Sequence, residues 1–210
     1  MPEGTRSYRS KRREQAAAQT RQDILDAARH LFSTRGYARV TMTDVARSAG
    51  VAVKTLYGSV GTKTQILHAL LTADLADSRA GETNDTLRLT RDLPSAVGHI
   101  AHVTRVDTER FARSIELLLS SAASDESARE VHDQVLTQYR EALRGSARHL
   151  VALGAVAPHL TVEGVADRLW LCFGLSAWRT LVTECHWDYD AAERLLTRQA
   201  LLLLRDPESA

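Results

Sequence analysis

The placement of proline is what most restricts the fold of this 210-residue chain: there are four, at positions 2, 94, 158 and 207. Inside a helix a proline removes a backbone hydrogen bond and clashes with the preceding turn, at a cost of about 3 kcal/mol. Spaced this widely, the four leave long stretches free to be helical. Composition agrees, since aromatics make up only 5% and Ala, Leu and Arg dominate, a bias toward helix over strand. An all-α fold is expected and an all-β fold excluded. With 44% hydrophobic and 25% charged residues, the chain has the make-up of a folded globular protein.

Two cysteines, Cys172 and Cys185, make no disulfide framework and point to a reducing compartment. The longest strongly apolar stretch, Leu169–Trp178, falls far short of the ~20 residues that span a bilayer. The polar, arginine-rich N-terminus has no apolar segment of the secretory kind. A cytoplasmic protein with no membrane partner is expected.

Net charge is only +1, yet residues 1–63 carry 12 Lys+Arg against 5 Asp+Glu, a net of +7, and residues 64–210 carry 15 against 21, a net of −6. This asymmetry suits a basic module that meets a polyanion, attached to a body that does not. Polar residues 1–14, with Arg6, Arg9, Lys11, Arg12 and Arg13, read as a flexible basic arm. It would reach into a minor groove or stay solvated.

A first helix is expected over about Ala16–Arg35, with Ile24, Leu25, Ala28, Leu31 and Phe32 on its apolar face and Gly36 as its stop. Thr41-Met-Thr-Asp44 opens a second helix as a capping box, running over about Thr43–Ala49 to Gly50. A third short helix covers Val53–Gly58. Thr62-Lys-Thr-Gln65 caps a fourth, which continues to about residue 79. Gly81–Arg91 lacks a pattern and reads as a linker. Asp92-Leu-Pro94 then opens a run of longer helices, at about Glu109–Ser121, Asp125–Leu153, Thr161–Cys185 and Asp190–Arg205.

Residues Thr41–Lys63 are the informative stretch. Two short helices joined at Gly50 outline a helix-turn-helix. Val45, Ala46 and Ala49 are small enough for the second helix to cross closely, and Gly50 permits the positive φ of the turn. The second helix keeps Leu56 inside and turns Val53, Lys54, Thr55 and Tyr57 outward, a shape that fits a major groove.

The run Thr20-Arg-Gln-Asp-Ile-Leu-Asp-Ala-Ala-Arg-His-Leu-Phe32, then Gly36-Tyr37, Thr43-Asp-Val-Ala-Arg-Ser-Ala-Gly-Val51 and Lys54-Thr-Leu-Tyr57, resembles the DNA-binding head of TetR-type (TetR/AcrR) transcriptional regulators. The resemblance is strong over residues 20–71 and weaker beyond. It implies a helix-turn-helix domain over residues 15–63 and a helical effector-binding and dimerisation domain over 64–210. It also implies DNA contacts from Thr41, Thr43, Arg47, Lys54, Thr55, Tyr57, Ser59 and Lys63. Most of these would hold phosphate; Lys54 can reach guanine O6/N7. The chain departs from the pattern at Gly58, Val60 and Ala52. Where relatives place a Ser before the third helix, Ala52 forfeits a cap worth about 1 kcal/mol.

The resemblance further implies a homodimer on a palindromic double-stranded operator, its heads roughly 34–36 Å apart, and release by a small-molecule effector. Pocket candidates are His99, His102, Phe111, His132, Tyr139, Trp170 and Phe173; candidates for the dimer interface are Leu175, Trp178, Leu195 and Leu202. No cofactor or metal is expected. His99 and His102 share a helical face but lack further ligands, and Cys185-His186, adjacent on a helix, would point apart. No phosphate-binding glycine loop or nucleophile elbow occurs, so an enzyme is not expected. A different class remains open, a helical interaction protein whose basic head docks RNA or an acidic partner without reading sequence.

Overall fold

In the computed structural model, residues 4–76, 86–123 and 125–205 are described, with side chains from Arg12 onward and not for 75 and 76. Among them there is helix and turn but no strand. The elements are α1 Gly4–Arg35, α2 Met42–Ser48, α3 Val53–Val60, α4 Lys63–Ala76, α5 Leu93–Arg110, α6 Ala112–Ala122, α7 Glu126–Ala152, α8 Val162–Phe173, the single turn α9 Leu175–Trp178, a π-helical turn Arg179–Glu184, and α10 Tyr189–Leu204. The chain divides into two compact units, one of Met1–Ala76 with Glu116–Asp133, the other of Asp77–Ile115 with Gln134–Ala210.

Unit one is built around α1. Ile24, Ala28, Leu31 and Phe32 form its buried face, against Val45 and Ala46 of α2, Leu56 and Val60 of α3, and Ile66, Leu67 and Leu70 of α4. Each junction has a local cause. At Gly36 φ is +80° and at Gly50 +67°, a region that glycine enters without steric cost. Thr41 caps α2, and Asp74 of α4 holds Arg29 of α1 through two hydrogen bonds of 3.0 Å. In the second unit α5, α8 and α10 surround Val97, Ile100, Leu169, Phe173, Leu196 and Ala200. Asp92, Thr161 and Asp188 cap these three helices with side-chain oxygens.

Three sequence expectations are corrected here. First, α1 begins at Gly4, so the backbone of residues 4–14 is helical where an arm separate from the first helix was expected. Ala, Arg, Lys, Gln and Glu are strong helix formers and no proline follows Pro2 in that stretch, so the helix extends past its buried face. Second, the single helix expected over Thr161–Cys185 breaks at Gly174 and ends in the π turn. Third, the expected linker ends early: residues 77–85 lie outside the described ones, and Leu87 is buried in the core of the second unit.

Candidate nucleic-acid interface

The α2–α3 pair forms a helix-turn-helix, held from behind by α1. The N-terminal end of α2 carries a complete capping box. The Thr41 amide donates to Asp44 Oδ2 at 3.0 Å, the Thr41 hydroxyl donates to the same oxygen at 2.6 Å, and the Asp44 amide donates to Thr41 Oγ1 at 3.1 Å. These bonds hold the Asp44 carboxyl below its ordinary pKa, the Thr41 side chain being the largest cause. The Thr41 hydroxyl proton is thereby committed inside the protein, and a phosphate at this helix start would meet amide donors first. Thr43 is exposed. Arg47, with 76% of its side chain exposed, leans on Asp44 at 3.6 Å.

α3 starts at Ala52 with no side-chain cap, as its composition requires. Leu56 and Val60 are buried, while Lys54, Thr55 and Tyr57 are exposed, Tyr57 by 51%. Tyr57 therefore belongs to the surface of α3 and not to the core. Val53 is exposed by 37%, an apolar contact suited to a thymine methyl. Ser59 is half-buried, and its carbonyl accepts a 2.6 Å hydrogen bond from Arg21 Nη1. That guanidinium complements the negative end of α3 and ties it to α1. Arg21 went unnoticed in the sequence because the contact spans 38 residues and no local pattern marks it.

Lys63 opens α4, whose first amides are partly used. Thr62 and Gln65 exchange hydrogen bonds of 2.8 and 3.2 Å as a second capping box. The Lys63 ammonium lies 4.2 Å from the centre of the Tyr37 ring. Partial burial lowers its pKa, and the Asp125 carboxylate opposes that shift. Tyr37 itself is buried against Phe32, with ring centres 5.1 Å apart. This aromatic seat positions the lysine head, a role the sequence reading did not assign to Tyr37.

The body candidates do not form one group. His132 belongs to unit one and stands 2.9 Å from its neighbour Asp133; the other six belong to unit two. Tyr139, Trp170 and Phe173 do meet. The Tyr139 hydroxyl donates to the Phe173 carbonyl at 2.5 Å and Trp170 meets Tyr139 edge-on at 5.5 Å. Phe173 is fully buried in the core, Tyr139 and Trp170 pack partly buried against it, and desolvation pushes the Tyr139 hydroxyl pKa well up. His102 is exposed and pairs with Glu193 at 3.5 Å. His99 is half-buried on α5, and Phe111 ends that helix. A groove of about 580 Å³ is lined instead by Gly98, Asp190, Glu193, Arg194, Thr197 and Arg198, none of them among the candidates.

Of the interface candidates, Trp178 is corrected: at 1% exposure it is buried within its own chain, where the break at Gly174 turns it toward Tyr189. Leu175 and Leu195 are half-buried and Leu202 is 77% exposed. Among the described residues no group of three or more His, Cys, Asp or Glu could hold a metal ion, and no helix is long and apolar enough to cross a membrane.

Comparison with known proteins bears on the same residues. The family described as "Bacterial regulatory proteins, tetR family" matches residues 24–70. The chain is 36% identical over 81 residues to the probable HTH-type transcriptional regulator ArpR of Pseudomonas putida, a match covering 37% of this chain and 39% of that protein. It is 38% identical over 61 residues to the HTH-type transcriptional regulator TtgR, also of Pseudomonas putida, covering 29% of each. The chain thus spans well under half the length of these curated relatives. Its fold extends further. A SmeT–triclosan complex superposes with a TM-score of 0.71 at 21% identity, covering 90% of this chain and 93% of that one. FadR from Bacillus subtilis in complex with stearoyl-CoA superposes with a TM-score of 0.70 at 16% identity, covering 88% and 99%. The matched residues are those that build the helix-turn-helix and its supporting helix, so it is this N-terminal head that is similar to the TetR family of bacterial regulatory proteins.

Proposed function

We propose that this chain is a cytoplasmic, homodimeric transcriptional repressor that binds a palindromic double-stranded DNA operator through α2 and α3 and is released by a small molecule held in its helical body. One observation carries the reading: α3 keeps Leu56 and Val60 inside while Lys54, Thr55 and Tyr57 stand exposed on a helix-turn-helix. Lys54 would read a guanine edge, while Thr43, Arg47, Tyr57 and Lys63 hold phosphate and so set register. Thr41 would act chiefly as the cap that aims α2, and Ser59 through its link to Arg21. Two heads one helical turn apart would bind as a pair on a two-fold operator.

That SmeT and FadR are complexed with triclosan and stearoyl-CoA supports a ligand-holding body in this fold. To empty the operator, the ligand must favour the non-binding arrangement of the heads strongly over the binding one.

Selection from random duplexes tests the reading. The expected product is a palindrome preferred over random sequence by roughly 10³-fold or more. Lys54→Ala should relax preference at one position of each half-site and weaken binding there by about 1–3 kcal/mol. Sequence-blind, purely salt-sensitive retention would sink the proposal and leave the basic head as a docking surface for RNA or an acidic partner.

A further inference from the structure

Gly58 stands on the outermost line of α3, and nothing within the described protein requires a glycine there. Leu56 and Val60 are the buried residues of this helix. At about 3.6 residues per turn Gly58 lies roughly opposite the midpoint of that pair, so it marks the crest of the exposed face. Lys54 and Thr55 stand one turn earlier on the same side, and both are exposed. Gly36, Gly50 and Gly61 have φ of +80°, +67° and +78°, which accounts for their identity. Gly58 is helical and has no positive φ. A Cβ built on it would meet no other part of the described protein within 4 Å. Alanine would therefore fit, and it would favour the folded helix about fivefold over glycine.

A bare crest lets another molecule come up to the helix backbone itself. A helix with its side chains is about 10–12 Å across and the major groove of B-DNA is about 12 Å wide, so a helix in that groove has little clearance. A Cβ adds about 1.5 Å at the crest. Hydrogen bonds from Lys54 or Thr55 to base edges hold only between about 2.7 and 3.2 Å, and a lift of that size breaks them. Attraction to phosphate decays over about 10 Å at 0.1 M salt, and the same lift leaves it nearly intact. The two kinds of contact thus respond differently to one methyl group.

We propose that Gly58 is a specificity-determining residue: its bare Cα is where the backbone of α3 comes against the wall of the major groove, and its missing side chain sets the depth at which Lys54 and Thr55 reach the bases. The inference rests on the DNA-binding reading above and adds to it the residue that fixes how far α3 enters the groove. Direct readout depends on that depth, whereas phosphate contacts carry no sequence information. Replacing Gly58 should then move two properties in opposite directions, raising the stability of the fold while lowering sequence preference. A glycine required by the fold would lower both, and an indifferent surface position would raise stability alone.

Gly58→Ala and Gly58→Leu in the full chain test this, with fluorescence anisotropy on two labelled duplexes. One is the duplex recovered by selection with the wild-type chain; the other is a scrambled duplex of equal length. Gly58→Ala should raise the thermal midpoint by about 2–4 °C. It should weaken binding to the selected duplex at least about tenfold and change binding to the scrambled duplex by less than about twofold. Gly58→Leu should weaken binding to the selected duplex further, because its side chain is larger. On the scrambled duplex the log–log salt slope should match wild type, since the same phosphates are held. An alanine variant that binds the selected duplex as tightly as wild type would overturn the inference and leave the DNA-binding reading standing. So would an alanine variant with a lower midpoint, or one that loses both duplexes alike. A wild-type chain that prefers no duplex would overturn both.

Discussion

Thr41 shows how one residue can be read correctly for position and differently for role. The sequence places it at a helix start, where family resemblance implies a phosphate contact; the structure spends its hydroxyl on Asp44 in both directions. The consequence is titratable. Asp44 has a folded pKa below its ordinary value, so its contribution to stability is complete above the unfolded pKa of about 4 and is lost as pH falls through the lowered one. Urea unfolding followed between about pH 5 and pH 2 should show Asp44→Asn with a shallower acid loss than wild type. Equal slopes would mean that the capping box does not couple to folding. Lys54, Thr55 and Tyr57 were legible because a single buried neighbour, Leu56, fixes which way a short helix faces. Arg21, Tyr37 and Asp125 were not, because each acts on a residue remote in sequence.

Helices were legible wherever a local signal bounded them. Asp92 with Pro94, Thr161 and Asp188 cap their helices as side-chain chemistry dictates, and α2, α3, α5, α7 and α10 fall within a few residues of expectation. The break at Gly174 had no such signal. A Cβ built there would stand 2.5 Å from the Trp170 carbonyl oxygen and 3.2 Å from the Trp170 ring, so glycine is required by close packing, since φ at this position is an ordinary −67°. The turn it permits sends Trp178 inward. Gly174→Ala should therefore destabilise the chain by about 1–3 kcal/mol through overpacking, read as a lower thermal midpoint with loss of tryptophan burial in the fluorescence spectrum. An unchanged midpoint would mean that the backbone relaxes there freely.

At the scale of the whole molecule, charge separates the roles. The N-terminal 63 residues carry +7 and the remainder −6, so DNA affinity should fall steeply with salt while the folded body stays insensitive. If Arg47 and Lys63 each neutralise one phosphate, replacing either by Met should flatten the log–log salt slope by about 0.9 per head; identical slopes would remove that residue from the phosphate set. The likeness of the head to TetR-type regulators, the all-α class and the outward face of α3 followed from the sequence by itself, since helix propensity, capping and the spacing of buried residues act within a few turns of chain. What only the tertiary structure decided is which residues are spent on holding the protein together. Trp178 and Phe173 are core, Tyr139 packs against it, and Thr41 is a cap. Lys63 is seated on Tyr37, and Arg21 is spent on tying α3 to α1. Aromatic, hydroxyl and charged side chains serve packing and binding equally well, and which use they serve depends on neighbours brought from distant parts of the chain.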